Sequence, residues 1–156
     1  MKTIKLSLIL GFLLLNLNLS AQEFEELQTI DQKSVNLNSG LYVVSFWATW
    51  CGPCVKELDA INEVYEEWTD EVELRVIAIS IDDARTMSRV KPMVNGKAWE
   101  FGVVLDKNQD LKRRFNVINP PHSFVIKDGK ILYESTGYNP GDEDYLFEQV
   151  LTIAEQ

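Results

Sequence analysis

Residues 43–58 read Val-Val-Ser-Phe-Trp-Ala-Thr-Trp-Cys-Gly-Pro-Cys-Val-Lys-Glu-Leu and contain both cysteines of the chain. Val43, Val44, Phe46 and Trp47 are β-branched or aromatic, the composition of a strand buried on both faces. Pro53 then falls in what would be the first turn of a helix, where a missing N–H leaves no bond unmade. The stretch therefore predicts a buried strand, a tight bend and a helix whose first turn carries the cysteines. Cys51 sits at the helix N-terminus, beside unpaired N–H groups and the positive end of the helix dipole. That position favours the thiolate, which is the nucleophile in disulfide exchange. A dithiol redox centre is the expectation.

The same spacing has other uses. Zinc sites also employ C-x-x-C. A purely structural disulfide is the default for two cysteines in an exported protein, but this pair closes too small a loop to stabilise much. Haem attachment fails because Val55, not histidine, comes after the second cysteine.

Export itself is read from the first 21 residues. Lys2 and Lys5 precede an apolar run from Leu6 to Leu15, then Asn16, Asn18 and Leu19-Ser20-Ala21. That order is a secretory signal peptide, with cleavage expected after Ala21 and an uncleaved membrane anchor as the alternative. No cysteine comes after the run to accept a lipid. Residues 22–156 then suit one domain with one core. Losing Lys2 and Lys5 takes the formal charge from −9 by two further units, to −11. Nucleic-acid binding needs clustered Lys and Arg, so it is excluded as a function class.

Phe46-Trp47-Ala48-Thr49-Trp50-Cys51-Gly52-Pro53-Cys54, together with the downstream Pro121-His122-Ser123-Phe124-Val125-Ile126, resembles the thioredoxin superfamily and its TlpA/ResA-like branch. The resemblance implies an α/β thioredoxin fold. Its central mixed sheet would be flanked by helices, with an N-terminal hairpin and a central helix–strand insertion. The residues agree with that order. Residues 23–37 read as a short hairpin, and Asn38-Ser39-Gly40 as a turn. A helix is predicted to about Trp68, then a strand over 73–81. Asp82-Asp83 is placed to cap a helix over 84–94, disturbed at Pro92. A strand over 101–105, a short helix over 110–115 and strands over 123–126 and 131–135 come next, the last two joined by Asp128-Gly129. A helix over 142–154 closes the chain.

On the first helix, Cys54, Leu58, Ile61, Val64, Tyr65 and Trp68 share one face at 3.6 residues per turn. Glu57 lies inside that apolar face, whereas every other acid of the helix is predicted to point to water. A carboxyl so placed should have a raised pKa suited to proton exchange with Cys54. The plainer alternative is an acid that favours the helix N-terminus. The resemblance supports the first reading. Thioredoxins proper carry a buried Asp where Ser45 stands here, and the TlpA/ResA-like branch carries a Glu three residues after the second cysteine, where Glu57 stands.

The resemblance further implies that Cys51 attacks, Cys54 resolves and clients dock around Trp50, Gly52, Pro53, Pro120, Pro121 and His122. Trp47 is expected in the core. Pro121 matches the family's cis-proline. Pro120 departs from the pattern, because the residue before that proline usually offers both main-chain groups to a client and Pro120 has no N–H. His122, the only histidine, is either a strand-edge residue or the third ligand of a Cys51–Cys54–His122 metal site. The rival to an oxidoreductase is thus a metal-binding or metallochaperone domain. A peroxidase is a weaker reading, since no cysteine lies outside the motif.

The expected protein is a periplasmic monomer that reduces disulfide-containing client proteins and is recharged by a membrane thiol donor. It needs no metal or cofactor beyond its own dithiol. Gly52-Pro53 is the pair that thioredoxin-type reductants carry, and Glu57 with its apolar surroundings disfavours a neighbouring thiolate. A glutathione or dithiothreitol titration should give a midpoint between roughly −230 and −280 mV, beside thioredoxin at about −270 mV. A midpoint of about −150 mV or above would make the protein an oxidant.

Overall fold

The computed structural model describes residues 24–156, so the signal-peptide reading of residues 1–21 lies outside the described residues. The chain enters through two short antiparallel strands, β1 (Leu27–Gln28) and β2 (Ser34–Val35). Asn38 anchors this entry, accepting from the Phe24 N–H and donating to the Phe24 carbonyl, both at 2.7 Å.

Five strands form the main sheet: β3 (Leu41–Trp47), β4 (Leu74–Ser80), β5 (Gly102–Leu105), β6 (His122–Lys127) and β7 (Lys130–Thr136). Their order is β5-β4-β3-β6-β7, with β3–β4 and β4–β5 parallel and β3–β6 and β6–β7 antiparallel. All of β3 is buried, as its unbroken apolar run predicts for a central strand covered on both faces. Asp128 and Gly129 both take positive φ, at 49° and 76°, in the tight turn between β6 and β7. The N-terminal hairpin covers the β5 edge, where the Ile30 N–H donates to the Val103 carbonyl at 2.8 Å. Gly102 permits that approach: a Cβ there would stand 2.8 Å from Ile77 Cδ1 and 3.3 Å from Thr29 Cγ2.

Helix α1 (Gly52–Glu71) and helix α4 (Asp142–Ala154) pack together, with Trp68 stacked on Phe147 at 4.8 Å and 5°. Because Ser45 faces α1, its neighbour Phe46 faces the opposite side of the sheet. There it joins Phe115, Phe124 and, through Phe115, Phe24 in an aromatic cluster with centroid spacings of 5.2–5.9 Å. Phe115 is delivered by the short helix α3 (Asp110–Arg114), which it ends. Trp47 is fully buried and meets Trp99 edge-on at 5.0 Å.

The insertion departs from the sequence expectation. Ala84 does not begin a helix; a 3-10 turn over Met87–Arg89 leads into helix α2 (Val90–Lys97). Pro92 is the third residue of α2, in the first turn where its missing N–H has no intrahelical partner to lose, so it sits at a start rather than a break. The helix also runs through Asn95-Gly96 and stops at Ala98, left-handed at φ 53°, because Trp99 must turn inward to Trp47. Helix α1 likewise runs one turn past Trp68.

Besides Glu57, a second acid of α1 does not simply point to water. Asp59 accepts from Trp99 Nε1 at 2.9 Å and from Lys97 Nζ at 2.6 Å, tying the insertion to the helix. Leu58 is fully buried between α1 and the sheet. Leu58→Ala should cost about 2–5 kcal/mol, the usual range for emptying a leucine site. Urea unfolding should show a lower midpoint with an unchanged slope.

Candidate active site

Cys51 is the N-cap of α1, and Pro53 occupies its first turn. The two cysteines form a disulfide. Cys51 Sγ accepts from the Cys54 N–H at 3.3 Å, one of the otherwise unpaired donors of the helix start. Cys51 keeps 7% of its surface exposed and Cys54 none. An incoming thiolate or disulfide therefore meets Cys51 first.

The bend before Cys51 is held from the neighbouring strand. Asp82 is buried and accepts from the Thr49 N–H at 2.9 Å, the Thr49 hydroxyl at 2.6 Å and the Ser80 hydroxyl at 2.9 Å. Only Asp83 of the Asp82-Asp83 pair caps the segment after it, accepting from the Arg85 N–H. Asp82 turns back instead: two residues past the end of β4, it lies beside Thr49, two residues past the end of β3. Sequence reasoning missed this role; Ser-x-Asp at the close of a buried strand was the available signal.

Glu57 is buried within the apolar face, as its helix phase predicts. Its carboxylate lies between two strands. Ser45 Oγ donates to Oε2 at 2.8 Å, and Ser123 Oγ donates to Oε1 at 2.9 Å. Ser45 and Ser123 are register partners on β3 and β6, so both hydroxyls project from one face toward α1. Burial pushes the Glu57 pKa up to about 7, the two hydroxyl bonds opposing it and the charges of Asp142 and Glu143 adding to it. Ser45 thus holds the acid of this site. Ser123 was missed by sequence reasoning, although a serine heading an apolar strand run was its signal.

The Pro120–Pro121 peptide is cis. Pro121 is buried, and its carbonyl accepts from the Gly137 N–H at 2.9 Å. Trp50 is 59% exposed beside Cys51, and Ile118, two residues before Pro120, is 80% exposed. Ile118 is a further addition to the sequence-derived set.

His122 does not join the cysteines. It lies on the opposite sheet face from Ser123, stacked on Phe124 at 4.3 Å, with Nε2 3.5 Å from Glu134. Among the described residues no group of three or more His, Cys, Asp or Glu is placed to hold a metal ion. A broader cleft of about 500 Å³ beneath the N-terminal hairpin contains none of the candidate residues. No helix among the described residues is long and apolar enough to cross a membrane.

The relatives agree with this architecture. A ResA thiol-disulfide oxidoreductase from Bacillus thuringiensis is 36% identical over 124 residues, which are 78% of this chain and 66% of the relative. The chain thus spans just under two thirds of the length of that relative. A thioredoxin-like protein from Porphyromonas gingivalis, solved in solution, aligns with a TM-score of 0.72 at 41% identity, covering 86% of this chain and 93% of that one. The crystal structure of StoA from Bacillus subtilis aligns with a TM-score of 0.69 over 80% of this chain and 95% of that one, at 19% identity, a likeness of fold alone. Residues 16–134 match the AhpC/TSA family, and this chain, with its thioredoxin fold and helix-capping disulfide, belongs to it.

Proposed function

We propose that the chain is an exported thiol–disulfide oxidoreductase that reduces disulfides of client proteins in a bacterial-type periplasm. One observation carries the reading: an edge-exposed sulfur at a helix N-terminus is bonded to a buried one, and a buried carboxyl stands one turn later on the same face. The activity named for the Bacillus thuringiensis relative is of the same class.

In the reduced protein the Cys51 thiolate attacks a client disulfide. One client sulfur leaves as a thiolate, and the other is joined to Cys51. Cys54 then gives its proton to the Glu57 carboxylate, and its thiolate attacks Cys51 Sγ. The client–Cys51 bond breaks, the Cys51–Cys54 bond forms, and the second client thiolate leaves and takes up a proton. Two electrons pass from the dithiol to the client. A membrane thiol donor reverses the sequence to recharge the protein. Trp50, Ile118, Gly52, Pro53, Pro120 and Pro121 supply the surface a client meets, with the apolar Trp50 and Ile118 side chains as its anchors. Pro120 offers a carbonyl but no N–H, so docking depends more on those anchors than on strand-like pairing. Reduced protein should turn over insulin disulfides with dithiothreitol as donor. Absence of turnover in protein with two titratable thiols would overturn the reading.

The cysteines should divide their labour. Cys51→Ser is expected to abolish reduction, and Cys54→Ala to accumulate client-linked mixed disulfides through Cys51, visible on non-reducing gels. Preferential alkylation of Cys54 in reduced protein near neutral pH would reverse the assignment.

Glu57→Gln keeps the shape, and an amide can bond both serines once one hydroxyl rotates. Resolution of the mixed disulfide at neutral pH should slow by about 100-fold, the lower end of the usual range for a lost general base. The wild-type rate should rise through about pH 7, and that inflection should vanish in the variant. Stability supplies a second readout. The folded carboxyl holds its proton up to about pH 7, whereas its ordinary value is 4.5. The native state therefore binds more protons in that window, and stability falls as pH rises through it. The loss amounts to about 3 kcal/mol at most. Glu57→Gln should flatten this slope in urea unfolding between those pH values. An unchanged rate profile from about pH 5 to 9 would remove Glu57 from the mechanism.

A further inference from the structure

Each turnover through Cys54 delivers a proton to a buried carboxyl, at a moment when a docked client covers the disulfide surface. A cavity of about 180 Å³ lies against Glu57 on another side. Its walls include Tyr133, Ser135 and Gly137, from β7 and the turn behind it, with Asp142, Glu143 and Tyr145 from the start of α4. None of them belongs to residues 50–54 or 118–122, where the client would sit.

Serines lead from the carboxyl to this cavity. Ser45 of β3, Ser123 of β6 and Ser135 of β7 are successive register partners across three adjacent strands, so they share one face of the sheet. The first two donate to Glu57, and the third lines the cavity. A hydroxyl both donates and accepts, so a row of them can relay a hydrogen-bond chain. On β3 and β6 their neighbours include the buried Val44, Phe46 and Phe124, and a packed core alone would favour more of the same.

The far end is acidic. Asp142 and Glu143 face the cavity, and among the described residues no cationic side chain is in its walls. Tyr138 Oη donates to Glu143 Oε2 at 2.8 Å, and Tyr133 lines the same cavity wall as Ser135. The polar and titratable groups around Glu57 are thus Cys54 on its own helix, Ser45, Ser123, Ser135 and Tyr133 from the strands, and Tyr138, Asp142, Glu143 and Tyr145 from the closing turn and α4. The two α4 carboxylates disfavour a second negative charge at Glu57, which helps it retain a proton until solvent can take it.

We propose that this cavity is the proton exit of the redox site: Glu57 sheds the proton taken from Cys54 past Ser123 and Ser135 to solvent at the Asp142–Glu143 rim, without crossing the surface that the client covers. The step regenerates the carboxylate and moves no electrons. It rests on the reading of Glu57 as the proton acceptor.

The test uses the full domain trapped on a client through Cys51 in the Cys54→Ala background, so that the disulfide surface is covered. Exchange of the Glu57 carboxyl proton is monitored by infrared spectroscopy after mixing into D2O at acidic pH, the band being assigned by its absence in Glu57→Gln. Exchange should stay fast in the trapped complex. It should slow by about tenfold or more when Ser135→Leu fills the cavity, a loss on the scale of a blocked proton transfer. Ser135→Thr, which keeps the hydroxyl, should exchange like the parent. If Ser135→Leu does not fold, the surface pair Asp142→Asn and Glu143→Gln removes the rim acceptors and should slow exchange in the same sense. Exchange that stops on client trapping alone, or that neither set of variants slows, overturns the exit. An unchanged pH–rate profile in Glu57→Gln instead overturns the acceptor role itself, and the two failures are told apart by that variant.

Discussion

The pairing of β3 with β6 fixes what the rest of the molecule does. Val43↔Val125, Val44↔Phe124 and Ser45↔Ser123 lie opposite one another. A slip of β6 by one residue against β3 would send the β6 side chains to the other face. The aromatic cluster around Phe115 would lose Phe124, and α1 would meet a phenyl ring where it now meets the Ser123 hydroxyl. The alternation that buries the sheet on both sides is thus the same alternation that delivers two donors to a single carboxyl. Stability and chemistry are set by one register.

Burying a carboxylate between strands is unfavourable, and the compensation is incomplete. Two hydroxyl bonds satisfy one lone pair on each oxygen, less than a buried, ionised carboxylate requires for full compensation. Burial is the largest influence on this group, and Asp142 and Glu143 also work against ionisation. The outcome is a carboxyl balanced near neutrality, held in place by its serines in either protonation state because a hydroxyl can also accept. Asp82 shows the contrasting solution. It gathers two hydroxyls and a backbone N–H on one carboxylate, which suits a structural anchor for the bend leading to Cys51.

The disulfide joins these two regions. Asp82 holds the chain before Cys51, and Ser45 and Ser123 hold the acid after Cys54, so both ends of the motif are fixed by the sheet. Helix α1 supplies the offset between the sulfurs: its N-cap faces outward and its third residue faces the core. An exchange centre needs that asymmetry, with one sulfur to meet a partner and one to release it.

The sequence by itself determined the strand, bend and helix around the cysteines, the strand and helix order behind them, and the lone acid on the apolar side of α1. Those features are local: side-chain branching, a proline in a first turn and a 3.6-residue phase act within a few residues. What it left open came from contacts distant in the chain. Ser123 reaches Glu57 from 66 residues away, and Asp82 reaches Thr49 from 33; neither serine nor aspartate declares its partner by spacing. Pro92 was legible as a breaker but not as a helix start, because Trp99 docking on Trp47 decides where α2 lies. His122 was legible as a possible ligand by type. Only strand alternation next to Ser123 turned it to the face away from the acid, because adjacent residues of a strand cannot point the same way.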